Sequence, residues 1–576
     1  MKHSTIIRAL VIAVASVGLI AACGKSRDAN TAFSDESSLL RYVPADSPYV
    51  FARLEPMPED YRARVKPHMD IINAENRKLI EQAILSGQED ADELTPEVRE
   101  ILDLFTDLSD LMSTEGLQEA GIGPDAQVLV YGNELLPVLR VELQDVDAFN
   151  SKIAELAGQA NLELETSELG GASYQHATFE ELKLLLLVRD EQAVFSLAPA
   201  AYADDQLQTL LGLTAPAENI AAAGTLADIA AKYGFQDQYI GYTSTESLLS
   251  VALATGGLID QAMIEQGRGS IDETLSDTCR NELQLMSSVA PRIVMGLRKA
   301  DASRVDTAVI FELRDDIAKD LKDLASPVPG LGTLSDGLLV FGMSFNAKVA
   351  RTFAERRLEA MVAKPFECEF MAGFNEGATQ ALEFMKRQPV PPTAYDFKGF
   401  IFSVESIEGL QPGAAPTDVD AKASGLLAID NPESLMALGN MFVPEIAALN
   451  LQPDGKVVPL PTDRLGPNET EAWISMSDDA IGVAAGVDGD KRLDTLMKMS
   501  PNKDAPLMYV DVDADAYINL VSQATQLGLA NSGQSAVQDS SKLMLDEIAK
   551  LYERMSVDIR MTEYGVELSS SITMKP

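Results

Sequence analysis

The strongest constraint on the fold is an order of elements that occurs twice along the chain. In the first occurrence, Val138-Leu139-Arg140-Val141-Glu142-Leu143 alternates as a half-buried strand. Asp145-Val146-Asp147-Ala148-Phe149 then opens a helix whose apolar positions are Phe149, Ile153 and Leu156. In the second, Gly425-Leu426-Leu427-Ala428-Ile429 leads into Asn431-Pro432-Glu433-Ser434-Leu435 and another helix. Asp145 and Asn431 fall in register as N-caps, where a side-chain oxygen accepts from a helix amide that has no partner within the helix. Pro432 suits the first helical position, which needs no N–H.

Both copies continue alike. The segment Leu182 to Val188 turns at Arg189-Asp190-Glu191-Gln192 into Ala193 to Leu197, and Ala472 to Met476 turns at Ser477-Asp478-Asp479 into Ile481-Gly482-Val483. A short amphipathic helix follows, with Leu207, Leu210 and Leu211 matched by Leu493, Leu496 and Met497. Next come the strands Tyr239 to Tyr242 and Leu507 to Val510, each opening into a helix capped by Ser244 or Asp513. Each copy closes on an alternating hairpin, Arg292 to Arg298 with Asp306 to Leu313, and Val557 to Thr562 with Val566 to Met574. Hairpins separated by helices imply an α+β fold: two diverged tandem repeats of mostly antiparallel sheet with covering helices, plus helical insertions. Chance likeness between two generic α+β sequences is the alternative.

The insertions run from about Pro58 to Glu119, with a second helix expected from Pro96, and from about Asp315 to Arg387, where Ala347 to Val362 reads as amphipathic. Pro389-Val390-Pro391-Pro392 and Gln411-Pro412-Gly413-Ala414-Ala415-Pro416 bracket the alternating strand Gly399 to Val404 and mark a boundary. The expected division is an N-terminal strand and helical region at 39–127, repeat A at 128–313, a helical insertion with a Pro-rich connection at 314–421, and repeat B at 422–576.

At the N-terminus, Lys2 and Arg8 precede an apolar run from Ala9 to Ala22 that only Ser16 and Gly18 break. The run is a signal-peptide pattern, shorter than the roughly 20 residues a spanning helix needs. It ends in Leu19-Ile20-Ala21-Ala22-Cys23, which resembles the lipobox of bacterial lipoproteins. That resemblance implies a diacylated Cys23 thiol, cleavage before it at the end of segment 1–23, and anchoring through two or three acyl chains. Gly24 stands where an Asp would favour inner-membrane retention, so the expected address is the outer membrane, facing the periplasm. The polar stretch Lys25 to Ser38, within 24–38, reads as a flexible tether. An ordinary cleavable signal, or a short anchor helix with an incidental Cys23, is the alternative.

A wider likeness rests on Tyr42-Val43-Pro44-Ala45-Asp46-Ser47-Pro48-Tyr49-Val50, Gly121-Ile122-Gly123-Pro124-Asp125 and Leu136-Pro137-Val138-Leu139-Arg140-Val141. It resembles a group of bacterial extracytoplasmic proteins with a Pro-Ala-Asp-Thr-Pro-like opening and repeated strand and helix units. The group carries no active-site residues to transfer.

Composition bounds the chemistry. Against 46 Lys and Arg the chain has 88 acidic residues, so nucleic acid and anionic headgroups are poor partners. Besides Cys23 there are two cysteines, Cys279 and Cys368, a pair expected to form a disulfide in an oxidising compartment; two buried free thiols are the alternative. After signal removal only His68 and His176 remain, and neither sits in His-x-x-x-His or near a Gly-x-Ser-x-Gly elbow. No phosphate loop or Cys-x-x-Cys is present. Asp511-Val512-Asp513-Ala514-Asp515 copies the opening of a calcium loop, yet Ala516 replaces the turn glycine and Ser522 the closing Glu, so these acids read as caps and turns. Asp488-Gly489-Asp490 reads as a tight turn, and Glu180-Glu181 and Asp478-Asp479 are neighbours that point apart. Met436, Met441 and Met497 sit at apolar helix positions that fill a core. No cofactor, metal or catalytic residue is expected. The function expected is a membrane-anchored, non-enzymatic scaffold or protein-binding module of the envelope. The alternatives are a binding protein for an apolar or lipid-like ligand, or a hydrolase with carboxylates from distant loops.

Overall fold

The computed structural model describes residues 33, 39–86, 114–160, 162–179, 181–388, 390–409, 420–442, 449–461, 471–519 and 535–576. The lipobox with Cys23, nearly all of the tether and the helix expected from Pro96 lie outside them. The first ten strands are β1 (Tyr49–Arg53), β2 (Val128–Asn133), β3 (Leu136–Glu142), β4 (Glu165–Leu169), β5 (Ala172–Phe179), β6 (Leu182–Arg189), β7 (Gln192–Pro199), β8 (Ile240–Ser244), β9 (Arg292–Ala300) and β10 (Arg304–Glu312). The rest are β11 (Leu339–Ser344), β12 (Phe397–Glu408), β13 (Asp420–Ile429), β14 (Val458–Pro459), β15 (Ala472–Met476), β16 (Ala480–Ala485), β17 (Met508–Asp513), β18 (Tyr552–Thr562) and β19 (Gly565–Met574). With the helices they give an α+β fold.

All these strands belong to one antiparallel sheet. Its spatial order is β4-β5-β6-β7-β3-β2-β1-β8-β9-β10-β19-β18-β17-β11-β12-β13-β16-β15-β14. The seam is the contact between β10 and β19, paired from Arg304↔Thr573 to Glu312↔Gly565. Gly565 has φ +140, and a Cβ there would meet the Phe311 carbonyl oxygen at 2.1 Å, so the seam closes only around glycine.

Local chemistry sets the element ends. Asp145 accepts from the Ala148 amide at 3.0 Å, Asn431 from Ser434 at 3.4 Å, Ser244 from Ser247 at 3.1 Å and Asp513 from Ala516 at 2.9 Å. Asp190 and Glu191, at φ 52 and 58, make the tight turn between β6 and β7 that matches strand twist.

One face of the sheet carries two separate cores. On the first, Val50, Tyr131, Val138, Ile240, Val294 and Ile310 pack under helix Thr225–Tyr233 and its neighbours through Leu226 and Ile229. On the second, Val340, Ile401, Leu426 and Tyr509 pack under Val328, Leu331 and Leu496, the last from helix Gly489–Met497. The opposite face is covered near β2, β3 and β7 by helix Val146–Gln159, whose Phe149 meets Phe195 edge-on at 6.1 Å between ring centres.

The insertions leave from matching strand ends. Helix Glu59–Ser86 follows β1, and helix Ser535–Leu551 enters β18 from the side where β17 ends. They pack on each other, and the His68 Nδ1 lies 2.8 Å from Glu547 Oε2. At the other strand ends, residues 245–287 follow β8 and residues 347–387 follow β11. These two arms meet at Cys279 and Cys368, whose sulfurs are at bonding distance, 2.12 Å. The stretch 314–421, read from sequence as helical apart from one strand, contains β11 as well. Leu339-Val340-Phe341-Gly342-Met343-Ser344 lacks polar alternation because apolar groups occupy both of its faces, which hides the strand's period of two.

Candidate functional site

Residues directly opposite in a ladder point their side chains to the same face of the sheet. Starting from Val130 on β2, the register therefore defines one continuous row across twelve strands. It runs Val130, Phe51, Gly241, Met295, Val309, Leu568, Ile559, Met508, Met343, Phe400, Leu427, Ile481. Every member is apolar. At about 4.8 Å per strand the row is roughly 50 Å long. Parallel rows on the same face add Thr307, Ser570, Val557, Val510, Phe341 and Phe402 on one side, and Thr243, Ile293, Phe311, Val566 and Met561 on the other.

The two faces of the sheet beside the seam differ in chemistry, most sharply in β18. In β18 the sequence Arg554-Met555-Ser556-Val557-Asp558-Ile559-Arg560-Met561 sends every polar residue to one side and every apolar one to the other. On the polar side, Arg298 forks onto Glu567 at 2.6 and 2.9 Å, Arg554 holds Asp511 at 2.7 Å and Arg560 holds Asp558 at 2.6 Å. Glu312 accepts from Arg292 at 2.8 and 3.0 Å and from the Tyr233 hydroxyl. Burial alone would raise its carboxyl, but Arg292 and Tyr233 hold it below the usual carboxylate range. From β8 to β12 the other side carries no charged side chain in the rows named above.

This apolar floor is not sealed. Met295, Val309, Leu568, Ile559, Met508 and Phe400 are half-buried, and Met343, Phe311 and Phe402 are exposed by 42, 42 and 36 %. One end is walled by the helices Glu59–Ser86 and Ser535–Leu551, where Tyr61, Val65 and Met69 pack on Val305, Leu551, Tyr552 and Met574. The cysteine-linked arms rise from the other strand ends. A half-exposed apolar surface of this extent within one chain is a candidate binding surface.

The residues singled out from sequence are dispersed. His176 contacts Ser167 Oγ at 3.0 Å on β5, remote from His68 on its helix. Asp511 is taken by Arg554, Asp513 caps a helix, and Asp515 pairs with Lys575 at 2.5 Å, so the calcium-like string does not converge. Asp488, in the left-handed region just before helix Gly489–Met497, makes no capping bond and pairs with Lys491 at 2.6 Å, and Asp479 accepts from the Ser477 hydroxyl at 3.0 Å. Glu181 is exposed, and Glu180 lies outside the described residues. Met497 packs at the second core and Met436 is half-buried. The side chain of Met441 is not among those described. Among the described residues no group of three His, Cys, Asp or Glu side chains is placed to hold a metal.

Three acids, Asp237 and Asp511 buried and Asp558 half-buried, have raised pKa values. Burial raises Asp511 and Asp558, and each is already held by an arginine. Burial also pushes Asp237 up to about 6, with a contribution from the Glu55 charge. Two clefts lie away from the floor. One, of ≈ 590 Å³, is polar and lined by Arg41, Asp125, Glu142, Asp190 and Glu191. The other, of ≈ 230 Å³, is mostly apolar, with Leu334, Leu496 and Met499 beside Ser403, Ser424 and the pair Arg492 and Glu405, which are 3.5 Å apart. No described helix is long and apolar enough to cross a membrane. The floor itself escaped sequence reading, because alternation marks two faces without saying which of them stays open. No family model, no curated protein and no solved structure matches this chain.

Proposed function

We propose that this chain is a lipid-anchored protein of the cell envelope, held through Cys23, that acts by binding and uses the apolar floor along the seam as its binding surface. The observation that carries this reading is the unbroken apolar row from Val130 to Ile481, left half-exposed across its centre. A sheet face of this kind stays open when a ligand or partner covers it in use. The signal-like N-terminus and the cysteine pair support an oxidising, extracytoplasmic setting. Ion pairing of Asp511 and Asp558 favours binding over hydrolysis, since each carboxylate is engaged by an arginine.

The two halves are diverged copies of one unit in this reading. Outward from the seam, β9, β8, β1, β2, β3, β7, β6 and β5 stand in the order of β18, β17, β11, β12, β13, β16, β15 and β14. Each copy then reaches back to β1 or β11, and the continuous floor is a product of joining them.

Fractionation with metabolic palmitate labelling tests the anchor. Cys23→Ser is expected to lose the label and move from membranes to the soluble fraction; unchanged partition and labelling would refute the anchor. For the surface, a photo-crosslinking side chain at Met343 is expected to capture a ligand in intact envelopes. Adducts at exposed control sites but none at this position would refute the binding reading.

A further inference from the structure

We infer that the occupant of the floor is an extended hydrocarbon chain, the acyl part of a fatty acid or a membrane lipid; this deepens the binding reading above and rests on it. In a chain with 46 Lys and Arg and 88 Asp and Glu, the floor rows from β8 to β12 hold none of these residues. The polar residues there are Thr243, Thr307 and Ser570, which offer hydroxyls alone. An extended peptide laid on this surface would leave its amides without partners, a cost that a hydrocarbon does not incur.

From Met295 on β9 to Phe400 on β12 the row crosses six strand spacings, about 29 Å. A bilayer's hydrocarbon core is about 30 Å for two leaflets, so a single acyl chain needs about half of the row. Met295, Met343 and Met508 lie in that row, and thioether side chains adapt to a flexible chain better than branched ones do. Phe311 and Phe402 continue the apolar character at the exposed margins, where the three hydroxyls of Thr243, Thr307 and Ser570 stand without any charged group to receive the charged face of an amphipathic helix.

The test is a titration of the purified full chain with cis-parinaric acid, a fluorescent fatty acid, with palmitate and lysophosphatidylcholine as competitors. A saturable signal reversed by either competitor is expected, and the stronger competitor separates free fatty acid from lipid as the source. The double variant Met343→Lys/Phe311→Glu places charges where both native side chains are 42 % exposed, so the fold tolerates them. It is expected to bind the probe roughly tenfold or more weakly, with an unchanged circular dichroism spectrum and melting temperature. Should it unfold, Met343→Lys alone makes the same comparison. Wild-type affinity in a folded variant overturns the inference, as does a probe displaced by an amphipathic helical peptide and by neither lipid. The two readings fail separately. A chain that binds the probe but partitions independently of Cys23 loses only the anchor; one that captures an envelope protein through Met343 yet ignores the probe loses only the hydrocarbon.

Discussion

Asp237 is 2 % exposed, beside the start of β8, and its main-chain carbonyl accepts from the Leu54 and Glu55 amides at 3.0 and 3.3 Å. Its Oδ2 has no hydrogen-bond partner, and burial lifts its pKa to about 6, with Glu55 adding to the rise. A carboxyl whose folded-state pKa exceeds its unfolded one binds its proton more tightly in the fold. The cost of ionising it is therefore absent below the unfolded value of 3.8, grows through the interval and is complete above about 6. The protein should lose up to about 3 kcal/mol of stability from this group between acidic and neutral pH. Denaturant melts at pH 4 and pH 8 check this: Asp237→Asn should flatten the difference, and an equal pH slope in both proteins would exclude Asp237 as its source. Glu312 has the opposite sign. Its lowered pKa gives stability that is present above the unfolded carboxylate value and lost as pH falls through the folded one, so the two groups narrow the range of greatest stability from both sides.

The arms at 245–287 and 347–387 come from different halves and are cross-linked between Cys279 and Cys368, 89 residues apart. Around that link, Leu275, Leu283, Phe366 and Met371 form a small cluster, while Phe370, Phe374 and Phe384 are exposed by 73, 53 and 64 %. Glu282 of one arm also accepts from the Glu367 and Cys368 amides of the other at 2.8 and 2.9 Å, so the cross-link and these bonds hold the arms where packing is sparse. In the chain-entropy treatment a loop of this length contributes about 4.6 kcal/mol. Replacing both cysteines by serine should lower the unfolding free energy by up to that amount and open the arms to proteolysis before the sheet; arms as resistant as before would show that packing and the Glu282 bonds hold them without it. Legibility divides along similar lines. Asp145, Asn431, Ser244 and Asp513 could be read as caps because a cap binds an amide three residues on, and Ala347 to Val362 could be read as a helix from its own periodicity. The pairing of β10 with β19 could not, since Arg304 and Thr573 are brought together only by everything folded between them. Nor could the floor, because in β18 Met555, Val557 and Ile559 look like any inward-facing set.

At the scale of the molecule, the seam decides what can fold alone. The sequence places a second unit at 422–576, yet β13 is flanked by β12 on one side and β16 on the other, and β11 lies between β12 and β17. A fragment beginning at residue 422 would lack β11 and β12. That leaves β13 and β17 with open edges and strips Val340 and Ile401 from the core that Leu426 and Tyr509 share. A fragment from residue 326 keeps those strands and Val328 and Leu331 as well, and its one new open edge is β19, where Glu567 would lose its Arg298 fork. The longer fragment should therefore melt cooperatively and tend to self-associate through β19, whereas the shorter one should give no cooperative transition. Adding the separately produced chain up to residue 325 should restore a one-to-one complex, because β10 can then cover β19 from Gly565 to Thr573. Calorimetry and light scattering on the three preparations check this, and a cooperative transition in the fragment from residue 422 would place the structural boundary where the sequence pattern puts it and not at β11.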